Sequence, residues 1–180
     1  MKLTDIAELY AGLNSQEVKK WSQNEVIYSS DDLVHDLYFG YQGDSETTER
    51  NKVGAGNLVM HLMTNKAAIV SPVNEGKIIS QRVMKVDAQR FDVDNWYLCY
   101  LLNESRSIKH QLFKMMEGTN LRRLSISILG ELQIQLPPIA EQVKIGNVYR
   151  LMLIQERLNE YKKQQTKKAI LNILDKQDIN

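Results

Sequence analysis

A 180-residue chain that is 43% hydrophobic and 25% charged has the size and balance of one folded domain with an appendage. No apolar run approaches the roughly 18 residues of a membrane span, and Met1–Asp5 lacks the apolar core of a secretory signal. A net charge of +1 makes no case for nucleic acid by itself, and the single cysteine, Cys99, excludes an internal disulfide and points to a reducing, cytoplasmic setting.

In chain order, Leu3–Leu13 reads as a short amphipathic opening segment with Ile6, Leu9 and Tyr10. Val26–Tyr28 and Leu33–Phe39 read as strands. Gly40–Asn57 is polar and holds Gly43, Gly54 and Gly56, so a long exposed loop is predicted. Leu58–Met63 and Ala67–Val70 are predicted strands, followed by a turn at Pro72–Gly76 and a strand over Ile78–Val86. Asp94 is a short polar residue before an apolar run, which predicts a capped helix through Asn103. A second helix is predicted over Arg106–Glu117, stopped by Gly118. Thr119–Arg123 is a polar, basic loop, and a helical turn at Ser127–Glu131 leads to an alternating strand, Leu132–Leu136.

Pro137-Pro138 then stops the chain and restarts it as a helix, because a proline in the first helical turn loses no needed N–H. That helix is predicted over Ile139–Leu174, roughly 55 Å at 1.5 Å per residue, too long for a domain of this size to cover. Leu151, Ile154, Leu158 and Tyr161 recur at spacings of three and four, as in the seam of a coiled coil. One long helix with an apolar stripe needs a partner helix, and the remaining chain offers none. The expected organisation is an α+β domain over residues 1–137 and a long helix over 138–180.

Charge is unevenly spread. Residues 1–60 carry 5 basic and 10 acidic side chains, whereas 61–140 carry 10 and 7. Arg106, Lys109, Lys114, Arg122 and Arg123 gather in one stretch against Glu117 alone. Such a patch can hold phosphate in a nearly neutral chain; a solvated helix face accounts for the same residues.

Catalytic patterns fail on their residues. A DNA amino-methyltransferase needs Asn or Asp before Pro-Pro and an aromatic residue after it, but Leu136 and Ile139 flank Pro137-Pro138. Gly54-Ala55-Gly56 is too short for a phosphate loop, and no cofactor motif is present. Glu75-Gly76-Lys77 with Asp44 is a frequent chance match to a metal nuclease. His35, His61 and His110 have no zinc-ligand spacing, and Cys99 lies between apolar residues as a core thiol does.

The pattern resembles the specificity subunit of type I restriction–modification enzymes. Lys2-Leu3-Thr4-Asp5-Ile6-Ala7-Glu8 is similar to the start of its target-recognition domain, and Asn95–Asn103 to the helix after its central strands. Gly118-Thr119-Asn120, Leu124–Leu129 and Leu132–Gln142 are similar to its most recognisable block, and the helix beyond to its spacer. Residues 14–57 match loosely. The resemblance implies a non-catalytic subunit that reads duplex DNA. It delivers a methyltransferase subunit, and in restriction complexes a nuclease–translocase subunit, to its site.

The family's full subunit has two recognition domains and two antiparallel helices, where this chain has one of each. A homodimer through Leu151, Ile154, Leu158 and Tyr161 would restore the pair and read a bipartite inverted repeat. Phosphate contacts are expected from Lys66, Arg106, Lys109, Lys114 and Arg123. Groove contacts are expected from Thr119, Asn120 and Arg122, with Arg50, Asn51 and Lys52 as a second group and Lys19 and Lys20 beside Trp21 as weaker candidates. The alternatives are a truncated subunit that only exchanges with a full-length one, and a small nuclease using Asp44 and Glu75–Lys77.

Overall fold

The structure, a computed structural model, describes residues 1–21, 26–43, 49–88, 91–117 and 124–177. Its centre is an antiparallel sheet of four strands in the order β1 (Glu8–Ala11), β4 (Val83–Asp87), β2 (Leu58–His61) and β3 (Lys66–Ile69). Val59 lies opposite both Ala68 and Lys85, and Lys85 lies opposite Tyr10, so these four residues share one face of the sheet. The central strands β2 and β4 are buried on both faces and read as continuous apolar runs, interrupted by Lys85. Asn65 turns the β2–β3 hairpin with a positive φ of 56°, which asparagine tolerates.

Among the described residues, eight stretches are helix or helical turn, one of them a 3-10 turn at Pro72–Asn74 after β3. A 3-10 turn, Leu3–Asp5, replaces the predicted amphipathic opening, and the residues after it form β1 as an edge strand. Helix α1 covers Ser15–Trp21. The predicted strand Leu33–Phe39 is instead helix α2, Ser30–Phe39. Its ends explain why. The Ser29 hydroxyl accepts from the Asp32 N–H, Asp32 returns the bond to the Ser29 N–H, and Gly40 closes the helix at φ 69°. These caps outweigh the strand preference of Val34, Tyr38 and Phe39.

The remaining helices are α3 (Asn95–Glu104), α4 (Arg106–Glu117), α5 (Ile126–Gly130) and α6 (Ile139–Gln177). Asp94 caps α3 through the Tyr97 N–H, as its place in the sequence predicts. The predicted strand Leu132–Leu136 keeps its alternating burial, but its pairing reduces to a single bridge between Gln133 and Lys2. The predicted strand Ile78–Val86 also divides. Ile78 bridges to Ile27 and to Lys52, and the regular ladder begins only at Val83.

The free edge of β3 is closed by a side chain. Asn103 accepts from the Ala67 N–H at 2.8 Å and donates to the Ala67 carbonyl at 2.9 Å, as a neighbouring strand would. It also donates to the Tyr149 hydroxyl at 3.1 Å, tying sheet, α3 and α6 together. Cys99, one turn before Asn103, is fully buried, and burial pushes its thiol above the ordinary range.

The first four turns of α6 are docked rather than projecting. Gln142 is 2% exposed, accepts from the Asp94 N–H and donates to the Pro137 and Asp92 carbonyls. Gly146 lies where α6 crosses the start of α3, and a Cβ there would stand 2.4 Å from Asp94 Oδ1 and 2.9 Å from Trp96 Cβ. Tyr149 and Leu153 are buried, each contributing about 1.5–3 kcal/mol of apolar transfer. Beyond Ile154 every described residue of α6 through Lys176 is exposed, with Arg157 still resting over the Phe39 ring at 5.8 Å, so the length projecting past it is about 28 Å.

Candidate nucleic-acid interface

Helix α4 sorts its residues cleanly by periodicity. Ile108 and Leu112 are buried and Met115 is half-buried, while Arg106, Lys109, His110, Phe113 and Lys114 are exposed on the opposite side. Three predicted phosphate-binding cations therefore share one solvent-facing surface. Lys109 is held by Glu104 at 3.0 Å, a surface pair worth at most about 1 kcal/mol. Lys66 is exposed at the start of β3. Because Asn103 grips Ala67, Lys66 sits beside the C-terminal end of α3.

Arg50, Asn51 and Lys52 form a separate group. They turn next to β1 and β4, at the other edge of the sheet from Lys66. Three strand spacings put these edges about 14 Å apart. Arg50 lies over the Tyr10 ring at 5.3 Å. Lys52 is half-buried, 3.5 Å from Glu49, with its backbone bridged to Ile78. Lys19 and Lys20 are exposed in the last turn of α1. Thr119, Asn120, Arg122 and Arg123 lie outside the described residues, as does Asp44.

The structure also holds a residue that the charge pattern does not reveal. Lys85 is 2% exposed, in the central strand β4 between Met84 and Val86. Burial lowers its pKa, opposed by the nearby Asp87 and Glu49. A lysine inside an apolar strand is the sequence signal that could have drawn attention to it.

The nuclease-like triplet is otherwise engaged. Lys77 pairs with Asp32 at 2.9 Å and so supports the α2 cap, and Gly76 turns at φ 80°. Among the described residues no three His, Cys, Asp or Glu side chains come together as a metal-ligand group, and no helix is long and apolar enough to cross a membrane.

Of the expected seam, Leu151, Leu158 and Tyr161 are 55%, 50% and 61% exposed. Ile154 differs, because it is half-buried against its own domain, its Cδ1 lying 2.6 Å from where a Gly40 Cβ would be. Arg150 donates to the Gly40 carbonyl at 3.1 Å on the same contact. Gly40, which ends α2, therefore also receives α6, while Leu151, Leu158 and Tyr161 face solvent.

Residues 1–165 match the family described as the type I restriction modification DNA specificity domain. The chain belongs to that family. This specificity domain shares its fold with three solved chains. One is the HsdS subunit from Thermoanaerobacter tengcongensis, at 16% identity and TM-score 0.55, covering 92% of this chain and 39% of that one. The second is a chain from a structure on complex assembly and conformational transition of the type I R-M system, at 16% identity and TM-score 0.59, covering 97% and 42%. The third is the type I restriction–modification S subunit from M. genitalium, at 11% identity and TM-score 0.51, covering 95% and 42%. The specificity domain thus spans about two-fifths of the length of the solved chains it matches. No protein of curated function matches it.

Proposed function

We propose that this chain is a DNA-reading half of a type I specificity subunit and works as a homodimer joined by α6. The observation that carries the proposal is the projecting end of α6, with Leu158, Tyr161, Ile170, Ile173 and Leu174 all about half exposed or more. A soluble chain gains by covering such a stripe, and an antiparallel copy of the same helix offers matching side chains. Two-fold pairing of the helices would set two recognition domains at a fixed separation, suited to two inverted half-sites.

Lys66, Arg106, Lys109 and Lys114 would hold the phosphate backbone and fix register. Side chains on a loop, Thr119, Asn120 and Arg122, would read base edges, and the turn at Arg50–Lys52 would supply a second group of DNA contacts. The bound dimer would deliver a methyltransferase subunit, and a restriction subunit where one is present, to that site.

The mass of the full chain in solution tests the pairing. Leu158 is half exposed and lies outside the hydrophobic core, so Leu158→Asp should leave the fold unchanged while converting a dimer to a monomer. A monomeric parent chain, or a variant that stays dimeric, overturns pairing through this seam.

A further inference from the structure

The turn that carries Arg50 and Asn51 is built around the buried ammonium of Lys85. Lys85 Nζ donates to the Glu49 carbonyl at 2.7 Å and to the Lys52 carbonyl at 3.3 Å. These are the first and last carbonyls of the turn, so one cation closes it from inside. The backbone beyond is fastened as well. The Ile79 N–H donates to the Asn51 carbonyl at 2.9 Å, the Val53 N–H to the Lys77 carbonyl at 3.0 Å, and the Gly76 N–H to the Val53 carbonyl at 2.8 Å.

Tyr10 completes the arrangement. Its hydroxyl donates to Glu8, and its ring has Lys85 Nζ at 5.6 Å and the Arg50 guanidinium at 5.3 Å. Tyr10 and Lys85 are directly opposite in the β1–β4 ladder, so the sheet itself sets the spacing of the two groups. A lysine buried in a sheet and spent on two loop carbonyls is costly unless the loop has to be held. The turn it holds exposes Arg50 while its flanks are pinned.

We infer that Lys85 and Tyr10 are positioning residues that present Arg50 as a rigid, outward-facing contact for a DNA phosphate. The inference rests on the DNA-reading function proposed above. Pinning the backbone and laying the guanidinium along a ring removes freedom that a phosphate contact would otherwise have to remove on binding. Neither Lys85 nor Tyr10 touches the DNA in this scheme; both act through Arg50.

Lys85→Met keeps the apolar stem and removes the ammonium. Two measurements on the full chain separate the device from its use. Trypsin cuts after Arg50 and Lys52, so loosening the turn should raise cleavage at both sites in Lys85→Met. On the duplex that the parent chain selects from a random pool, Lys85→Met and Arg50→Met should each weaken binding about tenfold. Each should also lower the slope of log affinity against log salt by about 0.9, the signature of one lost phosphate contact. The double variant should be no worse than either single one. Should Lys85→Met fail to fold, Tyr10→Leu with Tyr10→Phe as its conservative partner gives the same comparison, with only the leucine variant losing the slope.

Unchanged cleavage, an unchanged salt slope, or additive losses in the double variant would overturn the positioning role. If the parent chain selects no sequence, the DNA-reading proposal fails with it. In that case the cleavage result still shows whether Lys85 closes the turn.

Discussion

Asn103→Leu tests how the sheet edge is closed. The substitution nearly preserves volume, so it changes hydrogen bonding rather than packing. It strips the Ala67 N–H and carbonyl of their partners on a residue that is 0% exposed. It also removes the donor to Tyr149. A buried backbone group left without a partner costs about 1–3 kcal/mol, and the Ala67 carbonyl keeps only a weak contact from the Cys99 thiol at 3.5 Å. Offsetting the two groups by the transfer gain of the leucine side chain leaves about 3 kcal/mol of destabilisation. In a chain of 180 residues each kcal/mol moves Tm by about 2–4 °C, so the midpoint should fall by about 6–12 °C. Thermal unfolding followed by circular dichroism, with urea unfolding in parallel, measures this directly. A fall of less than about 2 °C would mean that the edge does not depend on Asn103, and the side-chain closure of β3 would be refuted.

Gly146→Ala should destabilise by about 1–3 kcal/mol despite the better helix propensity of alanine, because the new methyl meets Asp94 and the α3 backbone; a urea midpoint equal to or above the parent's would contradict the close crossing. Burial raises the Asp32 carboxyl, but the bonds from Ser29 and Lys77 outweigh it and hold its pKa below the ordinary carboxylate value. Its contribution is therefore complete above the unfolded-state pKa and fades as pH falls through the folded-state one. Asp32→Asn should cost about 1–2 kcal/mol near neutrality, and the gap to the parent should close at acid pH; a gap that persists there would refute the linkage. Reversing both Arg122 and Arg123 to Glu should weaken specific duplex binding about a hundredfold or more with the fold intact, as read by titration and circular dichroism; normal binding would place the contact elsewhere.

Helices α3, α4 and α6 were legible because each carries its own signal: the Asp94 cap, the 3.6-residue alternation of Ile108 and Leu112 with Lys109 and Lys114, and the Pro137-Pro138 restart. Helix α2 occupies residues whose pattern also predicts a strand. Ser29, Asp32 and Gly40 mark both its ends, but a short run containing Val34, Tyr38 and Phe39 also satisfies a strand pattern. The docking of Ile154 could not be read along α6 alone, since it depends on the position of Gly40, more than 100 residues earlier. The exposed cations of α4 followed from periodicity, whereas the role of Lys85 did not. Its partners are carbonyls of a turn 33 and 36 residues away, and a carbonyl leaves no mark in the sequence.

Selection of bound duplexes from a random DNA pool by the full chain, with and without a methyltransferase subunit, tests the central claim most directly. A specificity half-subunit working as a dimer predicts enrichment of one bipartite inverted repeat with a fixed spacer. No enriched sequence in either condition would contradict DNA reading by this chain and return the basic face of α4 to ordinary solvated surface.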